Sequence, residues 1–225
     1  MNLTLVFKVT AVLLLVVAAF MVAPIVVALY YGEMEMLPSF LIPMLGVAVL
    51  CGGYALLTRG QTGELSTRAG FFLVTLSWLS AAAVGAVPFV VSHSVPTYTD
   101  AFFETMSGFT TTGATILTDI EALPKSILFW RSLTHWLGGM GIIVLTVAIL
   151  PLLGVGGFQI MKAEAPGPSV DRLTPKITET AKILWLIYLG LTVLETTLLM
   201  LGGLTLYEAL THTFGTLATG GFSPK

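Results

Sequence analysis

Two short stretches of this chain combine hydroxyl side chains with glycine in a way that suits coordination of a bare cation. They are Thr110-Thr111-Thr112-Gly113-Ala114-Thr115 and Ala218-Thr219-Gly220-Gly221-Phe222-Ser223. A loop of this kind can turn its backbone carbonyls inward, because glycine adopts angles that a Cβ resists. Carbonyl oxygens and threonine hydroxyls together replace the hydration shell of an alkali cation. The residues expected to line such a site are Thr111, Thr112, Gly113 and Ala114 in the first stretch, and Thr219, Gly220, Gly221 and Phe222 in the second. A shift of 108 positions aligns the two regions without a gap. Thr97 meets Thr205, Asp100 meets Glu208, Ala101 meets Ala209 and Thr105 meets Thr213; in the loops, Thr111 meets Thr219, Gly113 meets Gly221 and Thr115 meets Ser223.

Each loop must be positioned by the segment before it. Residues 97–109 and 205–217 are amphipathic and open with capping boxes, Thr97-x-x-Asp100 and Thr205-x-x-Glu208. About three helical turns are too short to cross a bilayer. A half-length helix entering from one side leaves its loop at membrane depth, where irregular backbone is tolerated only if protein shields it or it faces water. The negative C-terminal end of such a helix favours a cation over an anion. Two readings follow, a pore loop or a re-entrant hairpin that merely plugs a helix bundle. Repetition, matched caps and threonine-glycine content favour the pore.

Composition explains why membrane depth is the right frame. Of 225 residues 56% are hydrophobic and 10% charged, with mean hydropathy +0.94, against roughly a quarter charged in soluble domains. So few charges cannot cover a water-facing surface. Membrane-spanning helices are expected over residues 9–31, 40–57, 69–91, 127–153 and 183–204, with a kink at Pro24. A polar, Pro/Gly-rich connection fills residues 154–182. The single Cys51 excludes a disulfide scaffold. Ten Lys/Arg against twelve Asp/Glu leave no basic face for nucleic acid. No metal, hydrolase or nucleotide-triphosphate motif is present in the sequence, so nothing supports an enzyme.

Charge sets the expected topology. Lys8, Arg59 and Arg68, and then Lys162, Arg172, Lys176 and Lys182, mark the cytoplasmic side, with the N-terminus inside. Glu33, Glu35, Asp100, Glu104, Asp119, Glu121 and Glu208 lie opposite, against Lys125, Arg131 and Lys225, as an acidic outer mouth; its carboxylates are either ordinary solvated loop charges, the commoner case, or a means of concentrating cations.

At the two loops the sequence resembles the Trk/Ktr/HKT superfamily of potassium transporters, and within it the bacterial TrkH subunits. Three further stretches carry the likeness. They are Trp130-Arg131-Ser132-Leu133-Thr134-His135-Trp136-Leu137-Gly138-Gly139-Met140-Gly141-Ile142, Ala163-Glu164-Ala165-Pro166-Gly167-Pro168 and Arg172-Leu173-Thr174-Pro175-Lys176-Ile177. The resemblance covers essentially the whole chain. It implies an all-α integral membrane protein with two leading transmembrane helices (1–60) and a first span–pore-loop–span repeat (69–155). A cytoplasmic connection (156–182) and an incomplete second repeat (183–225) follow. Members carry four such repeats around one pore, so Gly113 and Gly221 match the first two filter glycines and these 225 residues supply half a filter. In plant relatives a serine at the first filter glycine accompanies sodium preference, so Gly113 implies potassium.

The resemblance further implies the pore-forming subunit of a potassium uptake system, with the transported potassium ion and no cofactor. Its setting would be the bacterial inner membrane. Its partners would be a cytoplasmic nucleotide-binding regulatory subunit of the TrkA kind, contacted through residues 154–182, and a second complete chain in a homodimer. The other function class is a truncated, non-conducting membrane assembly or scaffold protein.

Several single residues carry expectations. Glu195, inside the fifth span, is expected to pair with Arg131 or His135, which share a helix face at i, i+4, with ion coordination as the less favoured reading. His93 and His212 lie near the outer surface. Trp78, Trp130, Trp136 and Trp185 are packing or membrane-belt residues. Gly138, Gly139 and Gly141 allow close helix contact or a bend. The topology is testable: cysteines placed at Thr62 and Ser169 in a Cys51-free background should resist an impermeant thiol reagent in intact cells. Labelling of either from outside would invert the chain.

Overall fold

In lipid the backbone can bond only to itself, so apolar runs of this length fold as helices. The computed structural model describes residues 2–63, 65–141 and 174–225, and among these there are helices and no strand. They are α1 (Leu3–Phe20), α2 (Val22–Tyr31), α3 (Leu37–Leu57), α4 (Thr67–Val91), α5 (Tyr98–Phe109), α6 (Lys125–Gly139), α7 (Thr174–Leu201) and α8 (Leu206–Leu217). Among the described residues, four stretches are long and apolar enough to cross a membrane: Leu3–Tyr31, Met34–Leu57, Arg68–Val91 and Glu179–Leu201.

The first of these is interrupted at Met21, between α1 and α2. Pro24 has no N–H to donate to the carbonyl of Phe20, one turn back, and the helix breaks there. Two boundaries differ from the sequence reading. The helix expected over residues 127–153 stops at Gly139, where Met140 ends it and Gly141 takes φ 63°. Residues 142–153 lie outside the described residues, as do Lys162, Arg172 and the 163–168 motif. In turn, α7 starts at Thr174, inside the expected polar connection, because a proline in the first turn and polar neighbours suit a helix that continues beyond the lipid.

The centre of the packing is α6. Ser126 through Leu137 are all buried, and this helix contacts α2, α5 and α8, while α1 packs on α3 and α4, α4 on α5, and α7 on α8. Its tryptophans are core residues. Trp130 Nε1 donates to the Gly85 carbonyl of α4 at 2.9 Å, and Trp136 Nε1 to Thr192 Oγ1 of α7 at 3.0 Å.

Two polar anchors sit at opposite ends of the α1–α2 rod. Lys8 is buried, and its Nζ donates to the carbonyls of Arg59 (3.2 Å) and Gln61 (2.8 Å). That puts Lys8 and the α3–α4 loop on one side, as the charge pattern expects. At the other end, the start of α6 follows Pro124 and has no cap from its own segment. The Glu33 carboxylate supplies it, accepting from the Lys125 and Ser126 N–H groups (2.8 and 3.0 Å) and from Ser126 Oγ (2.6 Å). A carboxylate at a helix N-terminus is a charge-assisted cap. Glu33→Ala should therefore cost about 1–2 kcal/mol and lower the melting temperature in detergent, while exposed Glu35→Ala should stay within about 0.5 kcal/mol.

Candidate functional site

The two short helices begin and end at matching positions, although the expected capping box is complete only at Thr205 and Glu208 and not at Thr97 and Asp100. Thr97 caps α5 by accepting from the Asp100 N–H at 3.1 Å. Thr205 does the same for Glu208 at 3.3 Å, and Glu208 Oε2 accepts in return from the Thr205 N–H at 3.1 Å. Glu208 also meets Lys225 Nζ at 2.8 Å. Hydrogen bonds from Lys225 and Thr205 hold its carboxyl down at about 2, so this cap is charged at any physiological pH. Each helix contains twelve residues.

Beyond the C-terminal ends the chain turns through left-handed backbone at matching places. Thr111 and Thr219 have φ of 54° and 56°, and Gly113 and Gly221 have 76° and 83°. Threonine is rarely found there, and such angles concentrate at functional loops. The amide groups fold back onto the helix ends: Thr111 and Thr112 donate to Gly108 and Ser107 (3.0 and 2.9 Å), Thr219 and Gly220 to Thr216 and Gly215 (2.8 and 3.0 Å). With the N–H groups so used, the carbonyls of Thr111, Thr112, Gly113, Thr219, Gly220 and Gly221 accept no hydrogen bond among the described residues. The loops touch, since a Cβ on Gly113 would run into the Gly220 carbonyl oxygen.

The remaining two expected positions are held differently. The Ala114 carbonyl accepts from Ser107 Oγ at 2.6 Å, which fastens the loop to its helix. The Phe222 side chain is buried, with its ring stacked on His135 at 3.9 Å and its N–H directed at His135 Nδ1 at 3.4 Å. His135 thus packs beneath the second loop.

Beneath both loops lies an ion pair. Arg131 Nε donates to Glu104 Oε1 at 2.7 Å, and the two side chains are 2% and 0% exposed. Arg131 therefore pairs with Glu104 and not, as expected, with Glu195, which is half-buried on α7. Glu104 in turn belongs to the interior and not to the outer mouth, because the face of α5 that carries it is turned to α6. With Glu33 capping α6, Glu208 bound to Lys225, Asp100 accepting from Thr97 Oγ1 and Asp119 from the Ala122 N–H, five of the seven expected mouth carboxylates are already engaged. The sequence held no signal that set Glu104 apart: its counterpart in the 108-residue alignment is His212, but most positions of the two short helices differ in the same way.

Close packing makes room for this arrangement. A Cβ on Gly138 would run into the Phe109 carbonyl oxygen, one on Gly108 into Thr134 Oγ1, and one on Gly139 would lie 2.7 Å from Ala218. Gly138 and Gly139 thus bring the end of α6 against the ends of both short helices, whereas Gly141 lies past it.

The profile of TrkH cation transport proteins matches residues 38–224. The chain belongs to the TrkH family. It is 43% identical over 221 residues to the Trk system potassium uptake protein TrkH of Vibrio parahaemolyticus, covering 97% of this chain and 45% of that protein. It is 54% identical over 167 residues to the protein of the same name from Escherichia coli K12, covering 73% and 35%. The crystal structure of the potassium transporter TrkH from Vibrio parahaemolyticus matches with TM-score 0.81 and 38% identity, covering 100% of this chain and 45% of that one. The chain thus spans about half the length of the relatives it matches. Its family is one of cation transport proteins and not of enzymes. With its apolar helices, this TrkH-family chain is a multi-pass membrane protein.

The glycine contacts give a sharp test. Alanine normally stabilises a helix interior over glycine by about 1 kcal/mol. Gly46→Ala on α3, where nothing lies within 4 Å of the new Cβ, should preserve folded yield. Gly138→Ala should lower it markedly in fluorescence-detected size exclusion, because backbone must move.

Proposed function

We propose that this TrkH-family chain contributes the first half of the pore of a potassium uptake transporter in the bacterial cytoplasmic membrane. In this reading α5 and α8 are pore helices, and the loops over residues 111–114 and 219–222 are two filter segments. The observation that carries it is the division of labour in the loops. The N–H groups of Thr111, Thr112, Thr219, Gly220 and Gly221 bond back to the helix ends, while six carbonyls at matching positions remain without donors among the described residues. Carbonyl oxygens in that state are the groups that replace a cation's hydration shell. The C-terminal ends of α5 and α8 add negative potential beside them. The potassium uptake proteins among its relatives support the choice of ion.

The further parts of the reading follow from it. The N-terminus faces the cytoplasm, since Lys8 shares a side with Arg59. A cytoplasmic nucleotide-binding regulator of the TrkA kind docks on the connection before α7, and complete chains pair as homodimers. The non-conducting scaffold reading leaves the unpaired carbonyls without a purpose.

The test uses the full natural polypeptide in a bacterial strain unable to grow on low potassium. Gly113→Ser and Gly221→Ser should each reduce rescue or admit sodium, because both glycines have positive φ. Gly113→Ser should be the more severe. Its Cβ meets the Gly220 carbonyl oxygen, whereas nothing lies within 4 Å of a Cβ at Gly221. Gly190→Ser, in open space on α7, should leave uptake within about twofold. Wild-type uptake and selectivity in both loop variants would make the re-entrant plug the better reading.

A further inference from the structure

The Arg131–Glu104 pair reaches both loops, and it reaches them at equivalent positions. Glu104 Oε1 accepts from Thr115 Oγ1 at 2.8 Å, and Oε2 accepts from the Ile116 N–H at 3.1 Å. Arg131 Nη1 donates to the Ser223 carbonyl at 3.0 Å. Thr115 follows Gly113 by two residues and Ser223 follows Gly221 by two, so each loop is held just beyond its glycine. The guanidinium also lies 3.6 Å from the centre of the Phe222 ring. These contacts leave the unpaired carbonyls untouched and act only on the backbone that carries them.

We propose that Arg131 and Glu104 are positioning residues for ion selection, a single clamp that sets the separation of the two loops. The proposal rests on reading those loops as filter segments. The guanidinium suits the task because it is planar and offers several donors in fixed directions, one toward Glu104 and another toward Ser223. A lysine ammonium keeps the charge but lacks that rigid fork. Coupling follows from the shared clamp. Whatever displaces the exit of one loop moves Arg131 or Glu104, and with it the exit of the other.

The experiment measures uptake and sodium competition in the full natural polypeptide, alongside membrane abundance by immunoblot. Arg131→Lys should reach the membrane, raise KM for potassium and lower potassium-over-sodium discrimination by about fivefold or more, with maximal rate changed less than about twofold. A purely structural role would lower abundance and maximal rate together and leave KM and selectivity alone. Thr115→Val removes one of the two first-loop contacts of Glu104, together with the local Leu117 N–H bond to Thr115 Oγ1, at an exposed position, so folding is not at stake. It should shift selectivity in the same direction by a smaller factor, and it decides the matter if Arg131→Lys does not accumulate. Gly113→Ser separates the two levels of inference. If it alters selectivity while Arg131→Lys and Thr115→Val behave as wild type, the clamp is overturned and the filter reading stands. If none of the three alters selectivity, the filter reading fails and the clamp fails with it.

Discussion

A buried guanidinium and a buried carboxylate, Arg131 and Glu104, occupy the point where three helices and two loops meet. Removing either partner would strand a charge in the interior, at a cost of about 3–5 kcal/mol. Apolar packing alone could hold α5 against α6, so the pair is not needed merely to join helices. What it adds is direction. Glu104 orders the chain after the first glycine loop and Arg131 the chain after the second, so irregular backbone is tied to a regular element at both places.

The rest of the fold keeps α6 in register for that purpose. Its first turn is capped from a distance by Glu33, which links it to the end of α2. Its middle is fixed by Trp130 on α4 and Trp136 on α7. Its last turn is bare of side chains at Gly138 and Gly139, and there the ends of α5 and α8 approach to backbone contact. A helix held by a charge at the start, by indoles in the middle and by close backbone packing at the end has little freedom to slide. The leading helices α1 to α3 therefore do more than span lipid, since Glu33 makes them part of the support for the loops.

Charge is distributed with similar economy. Most carboxylates counted toward an acidic mouth turn out to have local duties, as a helix cap, an ion-pair partner or a capping box. On the proposed reading of the loops as filter segments, the attraction for a cation is concentrated in their carbonyls and the helix C-terminal ends. Fixed backbone dipoles suit that role in a way that flexible surface carboxylates do not.

Helical class, membrane residence, the short capped helices and the special glycines were all legible in residue order. Each depends on local chemistry: unbroken apolar runs, a threonine three residues before an acid, a glycine where φ is positive. The repeat made Gly113 and Gly221 visible as a pair before their angles were known. Partnership was another matter. Arg131, with His135, looked like the partner of Glu195, and Glu104 looked like a surface acid, because periodicity places a residue on a helix face without saying which neighbour that face meets. The extent of α6 and the early start of α7 were likewise hidden, since apolar runs mark lipid more faithfully than they mark helix ends. Residue order determined which elements form and where the backbone must bend. Only tertiary structure decided that one arginine would hold both bends, because that contact joins residues 92 positions apart and exists only once α5, α6 and α8 have packed.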